Sequence, residues 1–366
     1  MKTLSSLLAM ASSIFASPYG AQRARPPSKL GDDPKFIDFA ANFNKDIRDL
    51  DDFVRKQDNF RRSDEIISAV NRRAQRSGKR DPLKLGHNWT SDLDRDEYLD
   101  LLGLDQSKAE QKRTTLEKGV RKSKNQPVDE FTTRSKRNTN RGGRGRNLIA
   151  RAMDVDHYAD GNMFEVKQQG YCGSCWAFAA TTALEGTLAI KTGKEPFRLS
   201  EQQSVDCTTN TAINKEMFGK TYGTGGCGGG WMGYAWNFMR DHGVMVYEDY
   251  PYTGRNADPC KHNSRKVVGK VLKYDQIVDS VEGMKDRLVR QPLTAALDAS
   301  SYAFQYYRSG VITAADDCGE HLNHAVVIVG FTDSESGTYE GGELPDSGQQ
   351  AEEEPEILCQ VTKWFS

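Results

Sequence analysis

The stretch Gln169-Gly170-Tyr171-Cys172-Gly173-Ser174-Cys175-Trp176-Ala177-Phe178 carries two cysteines three positions apart, with glycines beside them. Apolar residues recur at helical spacing from Trp176 to Ile190, and Gly193 follows as a typical helix end. Cys175 would therefore lie in the first turn of a buried helix, where free N–H groups and the helix dipole stabilise a thiolate. The spacing alone favours a structural disulfide or half of a zinc site over a nucleophile.

The same stretch resembles the active-site segment of the papain-like cysteine peptidases, the family of papain and the cathepsins. The resemblance implies that Cys175 is the nucleophile, that Cys172 forms a disulfide, and that Gln169 is an oxyanion donor. It also implies an α+β fold of two lobes, an α-helical left lobe and a β-barrel-like right lobe. A family member of this kind needs no cofactor and no metal ion.

The chain has 366 residues, of which 37% are hydrophobic and 28% charged, which allows one large or two medium domains plus an extension. A net charge of −1 indicates neither a nucleic-acid nor a membrane partner. Residues 1–21 have a positive start and a short apolar run, which predicts a secretory signal peptide; a disordered or amphipathic start is the alternative. We therefore expect a protein of the secreted, lysosomal or vacuolar space without stable membrane insertion.

All seven cysteines follow residue 170. One nucleophile leaves six, an even number that suits three disulfides in an oxidising compartment. Family positions imply the pairs Cys172–Cys227 and Cys207–Cys260. Parity would make Cys318 and Cys359 a third pair, whereas the resemblance leaves their partners open.

Residues 35 to 77 are highly charged, with apolar residues three and four positions apart, which predicts a pair of amphipathic helices. Within them, six residues stand at the spacings of the ERFNIN signature of papain-like propeptides: Asp52, Lys56, Phe60, Ser63, Ile67 and Asn71. Residues 85–92 resemble the Gly-x-Asn-x-Phe-x-Asp strand of the same propeptides, with Thr90 in place of the aromatic residue. The resemblance implies that residues 22–105 are an inhibitory propeptide and that the chain following its helices runs through the active-site cleft.

Asn88-Trp89-Thr90 is also a glycosylation sequon. A propeptide role would partly bury Asn88 and oppose its use.

Residues 106–151 are polar, and the part from Thr132 to Arg151 has seven basic residues and no acidic one. Such a segment cannot bury much apolar surface, so we predict a basic flexible linker. An RNA-binding tail is the competing interpretation. Between a propeptide and a catalytic domain a processing site is favoured, at Arg134-Ser135-Lys136-Arg137 or by self-cleavage further on, and we expect no nucleic-acid partner.

The catalytic domain is expected over residues 152–366. Leu199 to Cys207 resembles the family's Leu-Ser-Glu-Gln segment and predicts a helix with Ser200 at the N-cap and Gln203 completing a capping box. Residues 225–232 are glycine-rich, but they follow no strand and carry no P-loop lysine, which argues against a phosphate site. The family pairs a glycine backbone of this stretch with the substrate and builds an apolar pocket beside it. The implied substrate-binding residues are Gly229, Gly230, Trp231, Met232, Ala296, Leu322 and Asn323.

His324 opens a continuous apolar run to Phe331, which predicts a buried strand. A lone histidine at a strand end is usually structural, but its surroundings resemble the segment that carries the family's catalytic histidine. His321 and His157 lack this context and are expected at the surface or in packing. The resemblance implies that Cys175 and His324 form a thiolate–imidazolium pair and that His324 protonates the leaving amine.

The family's third member, an asparagine in an Asn-Ser-Trp-Gly segment, has no counterpart after His324. Residues 332–356 hold nine acidic and no basic residues, which predicts a solvated loop. We therefore expect a C-terminally incomplete peptidase domain from a truncated or mis-spliced coding sequence. The expected protein is a monomeric cysteine endopeptidase zymogen, with peptide substrates and its own propeptide as partners. The alternative is a catalytically impaired homologue that binds peptides or peptidases.

Overall fold

The computed structural model of the chain describes residues 33–76, 82–104, 155–256, 259–275, 281–312, 316 and 319–331. The predicted signal peptide, the basic linker, the acidic stretch and the cysteines at 318 and 359 lie outside these residues.

The described residues before 105, here called the N-terminal segment, are largely helical. Their elements are α1 (Pro34–Asn42), α2 (Leu50–Arg76), β1 (Lys84–Leu85) and α3 (Arg95–Asp100). The predicted helix pair is thus present, and its apolar seam is aromatic: the ring centroids of Phe39 and Phe60 lie 4.8 Å apart, and those of Phe36 and Phe53 5.3 Å apart. This seam fixes α1 on α2.

The ERFNIN-like residues of α2 hold the rest of the N-terminal segment in place. The Asn71 side chain donates to the Leu85 carbonyl and accepts from the Leu85 N–H, both at 2.9 Å. The Ser63 hydroxyl donates to the Ser91 carbonyl at 2.8 Å. Burial alone would raise the pKa of Asp52, but hydrogen bonds from Arg55 and Arg48 hold that pKa well below its ordinary range. Charges and amides on one face of α2 therefore anchor β1 and the loop after it.

The described residues from 155 onwards form the second part of the molecule. Its helices are α4 (Cys175–Thr192), α5 (Glu201–Cys207), α6 (Ala212–Phe218), α7 (Met232–Asp241), α8 (Val281–Leu288) and α9 (Tyr302–Gln305). Its strands are β2 (Val155–Asp156), β3 (Val244–Met245), β4 (Val267–Gly269), β5 (Leu293–Leu297), β6 (Tyr307–Ser309), β7 (His324–Ile328) and β8 (Gly330–Phe331). Helices dominate its first half and strands its second.

Helix α4 confirms the expectation for the run that follows the cysteine pair. It starts at Cys175 and ends at Gly193, whose left-handed φ of 63° suits a residue without a Cβ. Trp176, Ala177 and Ala180 are fully buried in the main hydrophobic core. The helix therefore runs through the centre of this half.

The predicted capping box of α5 is only half formed. The Ser200 hydroxyl accepts from the Gln203 N–H at 2.9 Å, as expected for an N-cap. The Gln203 side chain, however, accepts from the Met245 N–H and donates to His262, while the Ser200 N–H donates to the Met245 carbonyl. Hydrogen bonds to Met245 of strand β3 thus replace the bond that a complete capping box would form between the Gln203 side chain and the Ser200 N–H.

The described strands pair in twos, all antiparallel: β1 with β6, β2 with β8, β3 with β4 and β5 with β7. In the longest pairing His324 lies opposite Leu297, and Ile328 opposite Leu293. The pairing of β1 with β6 joins the N-terminal segment to the strand-rich half.

Both expected disulfides are present, Cys172–Cys227 and Cys207–Cys260. His157 is buried and its Nε2 lies 2.5 Å from the Leu288 carbonyl oxygen, which agrees with a packing role. Among the residues described, no helix is long and apolar enough to cross a membrane.

A buried ion cluster ties the chain before the cysteine pair to α4 and α5. The Lys167 ammonium lies 2.6 Å from a carboxylate oxygen of Glu185 and 2.6 Å from one of Glu201, with all three side chains nearly inaccessible. Burial raises the pKa of Glu185 although the lysine opposes the shift. Two buried carboxylates thus share the Lys167 ammonium, and the Arg198 guanidinium lies 3.9 Å from the other carboxylate oxygen of Glu201.

We predict that Lys167→Met lowers the free energy of unfolding by about 3–5 kcal/mol, because it removes the nearest cation of two buried carboxylates. The loss should be larger at pH 7.5 than at pH 5, since the Glu185 carboxyl, whose pKa is raised, is more readily neutralised by a proton at the lower pH. Urea unfolding at both pH values measures it. Lys191→Met, which changes an exposed lysine of α4, is the control and should stay within about 0.5 kcal/mol. Equal effects of the two variants would contradict the prediction.

Candidate active site

Two elements bring the predicted nucleophile and base together. Cys175 is the first residue of α4 and His324 the first residue of β7. The backbone of Ala325, the residue after His324, lies near enough to the Cys175 thiol to lower its pKa. Cys175 and His324 are both at least 98% buried, and Cys175 is the free cysteine of the described residues.

Gln169, the predicted oxyanion donor, precedes Cys175 by six residues. Its side chain is buried, and its Nε2 donates to the Cys172 carbonyl at 3.0 Å and to the Leu101 carbonyl at 2.9 Å. Gln169 and His324 line the same small cavity. Gln169 and His324 therefore line one cavity, and Cys175 lies near the backbone of Ala325, the neighbour of His324. The Gln169 amide is already hydrogen-bonded to the Leu101 carbonyl of the N-terminal segment.

Residues 101–104 of the N-terminal segment run across this site. The Gly103 carbonyl accepts from the Gly230 N–H at 3.0 Å, and the Leu104 N–H donates to the Asn323 carbonyl at 3.1 Å. Leu104 and Gly230 form a parallel bridge. The chain thus passes from Gln169, over Cys175, to the glycine-rich stretch.

Gly103 makes the closest approach. A Cβ added at this position would lie 1.8 Å from the Gly173 carbonyl oxygen, so no larger residue fits without displacing the backbone. The backbone of Gly103 also lies near enough to the Cys175 thiol to lower its pKa, although burial has the larger and opposite effect. The N-terminal segment therefore covers the nucleophile with main chain.

The predicted apolar pocket is occupied as well. Leu104 is 4% exposed and belongs to the hydrophobic cluster of Cys175 and Met232, against which further predicted pocket residues pack: Trp231, Ala296 and Leu322. Gly230 lies against the Trp176 ring, where a Cβ would come within 2.6 Å. Gly229 adopts a φ of 112°, which glycine tolerates.

Asn323 connects the cleft to the loop after β5. Its side chain accepts from the Ala299 N–H at 2.9 Å and donates to the Ser300 hydroxyl at 2.6 Å. Its own N–H donates to the Leu297 carbonyl. With these groups engaged, Asn323 offers the cleft its carbonyl, which binds Leu104, rather than its side chain.

The sequence interpretation missed several residues that contact the site. Gln305, on α9, is 4% exposed and lines the cavity of Gln169 and His324. The Tyr98 hydroxyl donates to the Ala299 carbonyl at 2.8 Å and docks α3 beside the cleft. The capping box of Asp94 and Glu97 at the start of α3 was the available signal, because it marks a helix immediately before the apolar run 101–104.

The ionisation expected for the cysteine–histidine pair is not the one found in this covered state. Burial raises the pKa of Cys175 to about 11 and lowers the pKa of His324 to about 3. Both groups are therefore neutral between these values. In this covered state burial opposes the thiolate and outweighs the stabilising effect of the helix N-terminus, so the thiolate stays a prediction for the open cleft.

The sequon asparagine is buried, in agreement with the expectation. Asn88 is 5% exposed, its Nδ2 donates to the Gln305 carbonyl at 2.6 Å, and its Oδ1 accepts from the Thr90 N–H. Within the described ranges, no group of three or more histidine, cysteine or acidic side chains is arranged to hold a metal ion.

Comparison with known proteins identifies the family. Residues 149–340 match the family described as "Papain family cysteine protease", so the chain belongs to the papain family. It is 40% identical over 183 residues to a probable cysteine protease of Arabidopsis thaliana, and 43% identical over 182 residues to a cathepsin L-like protein of Caenorhabditis elegans. These alignments cover 49% and 48% of this chain, and 46% and 49% of the relatives. The chain thus spans about half the length of the curated relatives it matches.

Solved structures of proforms show the same α+β, papain-like fold. Digestive procathepsin L 3 of Tenebrio molitor larval midgut superposes with a TM-score of 0.60 at 25% identity, covering 81% of this chain and 83% of that one. A recombinant stem bromelain precursor gives 0.59 at 26% identity, covering 81% of both chains. The likeness therefore extends beyond residues 149–340 to the N-terminal segment.

We predict that acid opens the cleft. An exposed histidine has a pKa near 6.5, whereas burial lowers the pKa of the covered His324 to about 3. Between these pH values the histidine is protonated in the open state and neutral in the covered state, so protons favour opening. The covered state thus loses stability as the pH falls from about 6.5 to 3, by about 2 kcal/mol at pH 5. Hydrogen exchange of α2 at several pH values measures the opening.

His324→Gln removes this titration and should flatten the pH dependence of opening. His321→Gln, at an exposed histidine three residues earlier, is the matched control and should leave it unchanged. A profile of His324→Gln as steep as that of the unaltered chain would refute the prediction.

Proposed function

We propose that the chain is the zymogen of a cysteine endopeptidase, held inactive by its own propeptide. The observation that carries the proposal is the passage of residues 101–104 through the cleft, where they engage Gln169, Cys175, Gly230 and Asn323 together. Main chain bound in this way supports a cleft that binds peptides. It also blocks any second peptide from the same groups.

The direction of the bound segment explains why it can resist cleavage. Family positions assign Gly230 to the acyl side of the scissile bond, so a substrate would run from Gly230 towards Gln169. Residues 101–104 run the opposite way, from Gln169 at Leu101 to Gly230 at Leu104. In the proposed zymogen, the Leu101 carbonyl that binds Gln169 therefore belongs to a chain that runs in the direction opposite to a substrate.

Once the cleft opens, Cys175 would lose its proton to His324 and attack the substrate carbonyl as a thiolate. The Cys175 N–H and the Gln169 amide would stabilise the oxyanion, and His324 would protonate the leaving amine. Water would then hydrolyse the acyl-enzyme. The apolar pocket that holds Leu104 supports a preference for an apolar residue on the acyl side.

The proposed organisation is a signal peptide over residues 1–21, a propeptide over 22–105, a basic linker with the processing site over 106–151, and the peptidase domain from 152. We propose a monomer that acts on peptides in a secreted, lysosomal or vacuolar compartment. The two disulfides support an oxidising compartment.

Active-site labelling tests the proposal. The expressed chain is acidified and treated with a peptidyl epoxide, which alkylates an activated thiolate. We expect one label at Cys175 after acidification, little at neutral pH, and none in Cys175→Ala. Folded, soluble protein that stays unlabelled after acidification would refute the peptidase function and support a peptide-binding homologue.

We further predict that Gln169→Ala lowers kcat by about 10²–10³-fold, because it removes one oxyanion donor. The change in KM should be small, since this hydrogen bond strengthens in the transition state. Steady-state cleavage of a fluorogenic peptide measures both constants. Gln168→Ala, at the exposed neighbouring glutamine, is the control, and a similar loss in both variants would argue against the oxyanion role.

A further inference from the structure

Tyr171 is an exposed aromatic residue inside the active-site segment. It lies two positions after Gln169, and its side chain is 65% exposed even with the N-terminal segment bound. It follows Gly170, whose φ is 60°, and precedes Cys172, which is fully buried in a disulfide. The backbone that carries the ring is therefore fixed on its C-terminal side by the disulfide.

The N-terminal segment uses this ring as a contact surface. The Trp89 ring stands edge-on to it, with centroids 5.5 Å apart and planes at 87°. The Lys45 ammonium lies 6.0 Å from the ring centroid and donates to the Tyr171 hydroxyl at 3.4 Å. Edge-on geometry is a favourable arrangement for two aromatic rings.

The position of this contact relative to the cleft follows from the cavity at the site. Trp89 lines the same cavity as Gln169, Leu101 and His324. Leu101 is at the end of the bound segment opposite to Leu104 and Gly230. Tyr171 therefore lies beyond Gln169, on the side away from Gly230.

We propose that Tyr171 is a specificity-determining residue that binds an aromatic side chain on the leaving-amine side of the scissile bond. The proposal rests on the proposed peptidase function, which places the acyl side at Gly230. Trp89 occupies this site in the zymogen and vacates it when the propeptide leaves. The site then presents a rigid, exposed ring to the substrate.

The contacts of Trp89 also define the ligand class. Its indole N–H is buried and has no hydrogen-bond partner, so the site recognises the ring and not the polar group. A phenylalanine should therefore be accepted as well as a tryptophan. Aliphatic side chains lack the edge and face that the Tyr171 ring recognises.

The test uses the full chain matured by acidification and internally quenched peptides of one parent sequence. Trp, Phe, Leu or Ala is placed in turn at each of the first three positions after the scissile bond. We expect kcat/KM to favour Trp and Phe over Ala by about three- to ten-fold at one of these positions. Tyr171→Ser should remove the preference and Tyr171→Phe should keep it, because the latter retains the ring.

The readout is the ratio of kcat/KM values between peptides, which is independent of the amount of active enzyme. A ratio that is unchanged in Tyr171→Ser, or the absence of an aromatic preference in the unaltered enzyme, overturns the proposal for Tyr171. The proposed peptidase function is unaffected by either result as long as Cys175 is labelled. Absence of labelling at Cys175 defeats the proposed function itself. Since Tyr171 is largely exposed, its variants should fold, and circular dichroism checks this.

Discussion

The main chain of Gly103 lies on the main chain of Gly173, with no side chain between them. This approach lets the Gly230 N–H reach the Gly103 carbonyl and sets Leu101 at the amide of Gln169. Any side chain at position 103 would push the segment out of the cleft. The closure of the site thus depends on a residue that contributes nothing but its backbone.

The electrostatics of the site follow from that closure. A helix N-terminus stabilises a nearby negative charge by about 0.3–1 kcal/mol when it is exposed to solvent. Complete burial of a thiol acts in the opposite direction and is the larger effect here, since the pKa of Cys175 rises to about 11. The strength of the nucleophile is therefore a property of the open cleft and not of helix α4 alone. The same removal of water keeps His324 neutral.

The sequence was sufficient for elements with a long and regular pattern. Helix α4 and strand β7 were predicted from apolar spacing, because their burial is nearly continuous along the chain. The disulfide pairs and the meeting of Gln169, Cys175 and His324 came from the resemblance, because no local rule connects residues so distant in sequence. The passage of residues 101–104 through the cleft was expected only in outline. Its hydrogen bonds could not be predicted, because they are made by the main chain of three leucines and one glycine, and their partners are set by the tertiary fold.

Gln203 shows the same limit on a smaller scale. Its position favoured a capping box, and the local partner was available at Ser200. In the structure the Gln203 side chain instead accepts a hydrogen bond from the N–H of Met245, 42 residues later, because strand β3 lies beside the start of α5. Local rules predicted the start of the helix correctly and failed where tertiary contacts compete for the same amide.

The burial of Asn88 sets an order of events during synthesis. Its Nδ2 donates to the Gln305 carbonyl, and the same nitrogen is the atom to which an oligosaccharide would be attached. A glycan at Asn88 and the docked propeptide therefore exclude each other. A chain glycosylated before residue 305 has been synthesised would lose this contact for good, whereas a chain that folds first hides its sequon from the glycosylation machinery. Glycosylation and docking of the N-terminal segment thus compete for one side-chain nitrogen, and whichever comes first prevents the other.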